Sequence, residues 1–450
     1  MTPGIPWPRL VLMAVSLTLV RVVAVAQDRP VLRLSLKRAV EVALQPEGNA
    51  RLQMAQELVR QAQARAAQSR AALLPDFSTS VSQQSQTRNL AALGIRIDAP
   101  IPGFGFPNFV GPFTTFDARA SLYQNVLDLS SIRRFQASRA GVRVAEAEGE
   151  SARDQVTDQV ARSYLAAMRA EASLETARAN VALAETLQKL AERQKAAGTG
   201  TGIETTRAQV QLANERQRLL VAENQRRRSH LQLLKLLGLK LDTEVELSDT
   251  LSYVPVAAVA LEEARATALE SRAEWKAQQR RQENARLNHS ATALERLPSL
   301  VGFADYGSIG ASVHHAIPTR TYGLSVRLPL FDGGRRDARR AEVMSQLRQE
   351  RIRTNDLREQ MELEVRVALD SLRSAEEQVK AAQEGLQLAE NELAQARRRY
   401  EAGMTTSVEV ADAQTRLARA QENRINALFS HHLARLDLGA ATGTIYKMLP

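Results

Sequence analysis

The chain has 450 residues, no cysteine and a formal net charge of +10. The missing cysteine excludes disulfides, zinc–thiolate sites, thiol catalysis and a lipidated cysteine anchor. With 24% charged residues, and no apolar run near the roughly 20 residues a spanning helix needs outside the extreme N-terminus, a polytopic helical membrane protein is excluded too.

Residues 1–26 read as a signal peptide. Arg9 opens it, Leu10 to Val20 form its apolar stretch, and Ala24-Val25-Ala26 gives a small-x-small cleavage pattern before Gln27. Over the whole chain Pro and Gly are sparse (15 and 22), and Ala, Glu, Leu, Arg and Gln dominate, the composition of long helices. Lys and Arg are interleaved with Asp and Glu, which fits solvated helix faces and not a nucleic-acid footprint.

The chain repeats itself. Leu36 to Leu44 matches Leu261 to Leu269, Leu74-Pro75 matches Leu297-Pro298, and Leu127-Asp128 lies over Phe331-Asp332. Gly198-Thr199-Gly200-Thr201-Gly202-Ile203-Glu204 returns as Gly403-Met404-Thr405-Thr406-Ser407-Val408-Glu409, and Leu237-Gly238 lies over Thr442-Gly443. A first repeat over residues 27–250 and a second over 251–450 share one order: short helix, medium helix, proline, alternating segment, long helix, Gly tip, returning helix. Helical hairpins are predicted at about 129–237 and about 334–440, each with a proline-free arm on the order of 100 Å long. The second arm carries an alternation of three and four in Met361, Val365, Ala368, Leu372, Ala375, Val379, Ala382, Leu386, Ala389, Leu393, Ala396 and Tyr400. That is a coiled-coil seam in which alanine lets a neighbouring helix approach closely. Gly198 and Gly403 sit where each helix needs a left-handed residue. Thr201-x-x-Glu204 and Thr406-x-x-Glu409 read as capping boxes opening the returning helices.

Strands are predicted at about 75–88 and 113–124, and at about 298–310 and 319–328. Phe116 to Leu122 and Tyr322 to Leu328 alternate apolar and polar residues, so each strand has two unlike faces. A Gly-, Pro- and Phe-rich segment from about Asn89 to Pro112 joins the first pair. Two-faced strands of about ten residues suit a transmembrane β-barrel; a half-buried soluble sheet has the same period. Four strands cannot close alone, and open edges are not tolerated in lipid. Three chains supply twelve strands and a lumen, so a homotrimer is expected.

Across the mature length the chain resembles the TolC-family outer-membrane efflux proteins. The resemblance is carried by Tyr400-Glu401-Ala402-Gly403 through Val408-Glu409-Val410-Ala411-Asp412-Ala413-Gln414, by the Leu-Pro entries at Pro75 and Pro298, and by Leu328-Pro329-Leu330-Phe331-Asp332-Gly333-Gly334. It implies a mainly α fold: tandem hairpins forming an α-barrel, plus four strands per chain in a trimeric twelve-stranded barrel. It further implies an outer-membrane location with a long periplasmic extension, a periplasmic adaptor and an inner-membrane transporter as partners, and an entrance closed at the helix tips. By the matching motifs, Glu204, Glu409 and Asp412 are the acidic residues of that entrance, and Tyr400 helps hold it closed. Thr405 replaces a sealing arginine, and Asn125 stands where the second half has Pro329, so the bends at Pro75, Pro298 and Pro329 need not match in the two halves. Three carboxylates in one ring would form a cation-binding constriction, so Glu409 and Asp412 are expected to face the lumen and favour cations.

Catalytic motifs are missing: no Walker loop, G-x-S-x-G or H-E-x-x-H occurs. No cofactor or metal is expected. His431 and His432 are neighbours on a helix and point apart, and His314-His315 reads as a loop pair. Arg226 to Arg228 and Arg397 to Arg399 spread around their helices as solvated or adaptor-facing surface. Two readings remain, a passive export channel and a soluble periplasmic coiled-coil scaffold or adaptor. Paired strands in both halves favour the channel; drug, metal and protein cargo are all compatible with it.

Overall fold

The computed structural model describes residues 32–94, 109–257 and 259–448. The expected signal segment and the middle of the Gly-, Pro- and Phe-rich connection lie outside the described residues. The first half runs β1 (Leu32–Leu34), α1 (Leu36–Ala43), α2 (Ala50–Ala71), β2 (Asp76–Asn89), β3 (Phe109–Leu127), α3 (Leu129–Ala196) and α4 (Gly202–Leu237). The first half ends with β4 (Val245–Leu247), and the second runs α5 (Leu261–Ser271), α6 (Ala273–Ala293), β5 (Ser299–Gly310), β6 (Ile317–Arg327), α7 (Arg335–Glu401) and α8 (Ser407–Thr442), closed by a short α9 (Ile445–Met448). With 68 and 67 residues, α3 and α7 are each about 100 Å long.

Helix packing follows the seam. Ten of its twelve α7 positions are buried; Val379 and Ala382 are half-buried. In the lower part the helices lie side by side in the order α4–α3–α8–α7. In the upper part the order is α2–α3–α6–α7. Thus α3 and α7 run through, while α4 hands over to α2 and α8 to α6. Each handover is built on a glycine. Gly238 ends α4 at φ +70°, and a Cβ there would lie 1.8 Å from the carbonyl oxygen of Gly48, ahead of α2. The Asn49 side chain donates to the Leu236 carbonyl at 2.9 Å across the same joint. Gly443 ends α8 at φ +71°, its Cβ position 2.7 Å from the Arg272 nitrogen at the start of α6. Only glycine meets both demands, positive φ and backbone contact.

Strands β2, β3, β5 and β6 form one antiparallel sheet in that order. Its register gives two unlike faces. The mainly apolar one carries Phe77, Val81, Ala118, Ala120, Leu122, Leu300, Ala304, Tyr306, Tyr322, Leu324 and Val326, with Thr79, Gln83, Ser85 and Ser308 among them; the more polar one carries Ser78, Ser80, Ser82, Gln84, Ser121, Thr319, Thr321 and Ser325, with Phe113, Tyr123, Val301, Phe303, Ile309 and Ile317 among them. Phe77, Val81, Tyr322, Leu324 and Val326 are each about 70% exposed, so this apolar face is uncovered within the chain. Among the described residues, the outer edges of β2 and β6 have no strand beside them. β3 starts at Phe109, because Phe109 and Val110 pair with Asn89 and Arg88 of β2 beyond a register shift that takes in Gly111 and Pro112.

The two strand-to-helix bends differ. In the first half β3 continues through a register shift between Asn125 and Leu127, and Asp128 caps α3 at once by accepting from Ser130 and Ser131. Asn125 donates to the Ala72 carbonyl at 3.1 Å, tying the bend to the end of α2. In the second half β6 stops at Arg327, and the chain passes Pro329 and two left-handed glycines, Gly333 and Gly334, before α7. Here Asp332 reaches forward to the Arg336 amide instead of capping directly. A further element has no repeat or period to announce it: β1 pairs in parallel with β4, Leu32 opposite Val245, and clasps the two ends of the first half together.

Candidate channel entrance at the hairpin tips

Both hairpins turn by the same device. Past α3, Gly198 adopts φ +75° and the Thr199 amide donates back to the Gln194 carbonyl; past α7, Gly403 adopts φ +70° and the Met404 amide donates to the Arg399 carbonyl. These are left-handed helix stops with the long backbone bond that closes the last turn. Nothing approaches either glycine's Cβ position within 4 Å, so the tips stand clear. Ile203, Met404 and Val408 are more than half exposed there.

The three expected acidic residues fall into different settings. Glu204 behaves as a helix cap: its carboxylate accepts from the Thr201 amide at 2.9 Å and from the Thr201 hydroxyl at 3.2 Å. Glu409 does not. The capping box expected of Thr406 and Glu409 is not formed, because Glu409 turns to Arg399 at 2.8 Å and to the Thr405 hydroxyl. A full guanidinium one helical turn before the tip outcompetes a backbone amide for a carboxylate. Arg399, in a run read as solvated or adaptor-facing surface, is therefore tied back to the tip. Asp412 accepts from Arg416 at 2.7 Å, and the same guanidinium reaches Glu392 on α7. The two expected acids of the second tip, Glu409 and Asp412, are thus each matched by an arginine of their own chain.

Tyr400 is buried at the inner end of this network, packed with Leu393, Ala396, Val410, Ala413 and Leu417 and touched by Leu187 and Leu190 of α3. Burial, with a smaller contribution from the Glu204 charge, raises its phenol pKa. Its backbone carbonyl accepts from Gln194 at 3.4 Å, a polar link between the hairpins. Its hydroxyl has no partner. Tyr400 Oη, Ser407 Oγ and Gln414 Nε2 all lack hydrogen bonds, and all three residues line a cavity of about 50 Å³ between α3, α4, α7 and α8. Room for a few waters is available there, and the contact between hairpins at the tip combines an apolar cluster with these unpaired polar groups.

The other expected positions lie far from the tips. Pro75 and Pro298 immediately precede β2 and β5, and Pro329 follows β6. The His431 and His432 rings are 5.9 Å apart at 75° and share no ligand geometry.

The pattern that defines the outer membrane efflux protein family fits residues 44–239 and 264–444. The chain belongs to that family. The efflux protein is 25% identical over 396 residues to the pyoverdine export outer membrane protein OpmQ of Pseudomonas putida, covering 86% of this chain and 81% of that one. Its fold matches a membrane protein from Pseudomonas aeruginosa with a TM-score of 0.78 at 19% identity, covering 91% of this chain and 90% of the other. It also matches the Campylobacter jejuni outer membrane channel CmeC with a TM-score of 0.76 at 18% identity, covering 91% and 86%. The fold is that of the TolC-like outer-membrane channels, and the efflux protein resides in the outer membrane with its helices extending into the periplasm.

Proposed function

We propose that the efflux protein is a passive, homotrimeric exit duct, with the four-stranded sheet as one third of a closed barrel and the hairpin tips as its gated periplasmic entrance. The observation that carries this reading is the sheet: two unlike faces, the apolar one uncovered, and both outer edges unpaired. In lipid such edges must be closed, and copies of the same sheet close them with β6 of one chain beside β2 of the next. The apolar face then meets lipid and the polar face lines the lumen. Below, α4 and α7 lie on opposite edges of the helical layer and would meet in the same rotation.

At the entrance, the Arg399–Glu409 and Arg416–Asp412 pairs and the seam around Tyr400 support a closed resting tip that opens when hairpins slide. The exposed Ile203, Met404 and Val408 suit docking of a periplasmic adaptor that links the duct to an inner-membrane transporter. Cargo to try first is a small secreted iron chelator, because the P. putida relative is named for pyoverdine export.

The deciding experiment is the protein mass of the detergent-extracted particle, corrected for bound detergent, with membrane fractionation. A trimer extracted from outer membranes that conducts in planar bilayers is expected. A water-soluble monomer or dimer would overturn the duct and leave the periplasmic scaffold.

A further inference from the structure

Charged side chains are few on the sheet. Asp76 and Arg327 stand at its helix-proximal end, Arg88 lies near the opposite end beyond the β2 register shift, and Arg320 is on the apolar face beside Tyr306. Midway along the strands, three charges remain, all on the polar face: Asp117 and Arg119 of β3 and Asp305 of β5. Arg119 joins them. Its Nη1 donates to Asp305, its Nε faces Asp117 Oδ1 at 3.4 Å, and its Nη2 donates to Thr319 of β6 at 3.3 Å. The three charged side chains are between 19% and 29% exposed, so they are partly withdrawn into the wall yet reachable from the polar side.

The backbone ladder already holds these strands, and the rest of this face at mid-height is uncharged, with Ser, Thr and Gln beside apolar residues such as Phe303 and Ile309. A cross-strand ion pair is therefore not needed for sheet formation, and its charge has a consequence of its own. One guanidinium stands against two carboxylates, leaving one negative charge uncompensated at mid-height of each sheet.

We infer that Arg119 is a specificity-determining residue of the duct: by partly neutralising Asp117 and Asp305 it sets the charge of a ring inside the β-barrel, distinct from the tip acids. The inference rests on the channel reading, since the ring exists only where copies close the barrel. Charge rings of this kind govern which ions pass a pore, and within a barrel of this size they act across roughly a Debye length, about 10 Å at 0.1 M salt.

The test is the K⁺/Cl⁻ permeability ratio of the full-length protein in planar bilayers, from reversal potentials in a KCl gradient near 0.1 M. Arg119→Gln leaves two bare carboxylates per chain and is expected to raise the ratio on the order of twofold or more; Asp305→Asn leaves one cation against one anion and is expected to lower it. Arg119→Lys keeps the charge and is expected to hold the wild-type ratio, which separates charge from wall structure. Both shifts are expected to fade at 1 M KCl, where the screening length falls to about 3 Å. Conducting variants with an unchanged ratio would overturn the inference. So would a shift of equal size and sign in Arg119→Lys. If Arg119→Gln does not insert, Asp117→Asn and Asp305→Asn must each lower the ratio, and failure of both overturns the inference. A wild-type protein that inserts and does not conduct overturns the channel reading instead.

Discussion

Four glycines share a left-handed φ near +70° to +75°, yet their surroundings differ, and this separates backbone preference from helix stacking. Gly198 and Gly403 have open space where a Cβ would go, whereas at Gly238 it would sit 1.8 Å from a backbone oxygen and at Gly443 2.7 Å from a backbone nitrogen. Alanine in the left-handed region costs roughly 1–2 kcal/mol wherever it is placed. At Gly238 a forced displacement of the α2 start adds an overpacking cost of about 1–3 kcal/mol and strains the Asn49 to Leu236 bond. Gly198→Ala is therefore expected to cost about 1–2 kcal/mol and Gly238→Ala about 2–5 kcal/mol. Hydrogen–deuterium exchange of the detergent-solubilised protein reads this locally. In Gly238→Ala, amides of the last turn of α4 and the first turn of α2 should exchange at least about tenfold faster than in wild type, at about 1.4 kcal/mol per tenfold. In Gly198→Ala the change should stay at the tip and be smaller. Equal acceleration at both sites would refute the stacking argument and leave only the φ preference.

Three further outcomes follow from the geometry. Tyr400→Phe removes a buried hydroxyl without a partner and is expected to leave stability unchanged or raise it by up to about 1 kcal/mol; a loss above that in a denaturation midpoint would show that the hydroxyl is paired. His431 is fully buried with both ring nitrogens unpartnered, its ring 4.8 Å from Tyr253 and close to His432 and Arg435. Burial, then the His432 and Arg435 charges, push its pKa down from 6.5 to about 4. Between those values the unfolded chain binds the proton and the folded one does not, so stability is full above pH 6.5 and falls by up to about 3 kcal/mol toward pH 4. His431→Phe should flatten that slope in thermal denaturation across pH 4–7, and an unaltered slope would refute the assignment. Arg399→Gln breaks an ion pair whose side chains are 53% and 40% exposed, so the stability loss should be under about 1 kcal/mol. The open time of single channels should nevertheless rise; unchanged gating would place the closed-state contact elsewhere.

What could be read from the sequence was whatever repeats with a period or pins a dihedral. The α7 seam declares itself over eleven turns, and Gly198 and Gly403 mark helix stops that backbone geometry demands. The alternation of Tyr322 to Leu328 likewise fixed which face of β6 is apolar. The clasp of β1 with β4 escaped because three residues carry no period and their partners lie half a chain away. At the second tip, Thr406-x-x-Glu409 has the spacing of a capping box, but spacing cannot show that Arg399, across the turn, competes for the same carboxylate. The unpartnered group of Tyr400, Ser407 and Gln414 was equally hidden, because it exists only where two hairpins meet. Arg119 was visible as a polar position in an alternating strand, and its bridging role emerged only from the register.

The β1–β4 clasp also bears on the order of assembly. Leu32 meets Val245 at a sequence separation of 213, so the N-terminal segment must wait, unpaired, until more than half of the chain has arrived. Contacts that distant form late because loop closure must precede them. Once formed, the clasp joins the start of the first repeat to its end, around a hairpin that needs only its own neighbours to zip up. Its closure therefore reports that the first repeat has been delivered, before the second has been made and before the sheet edges are offered to other copies.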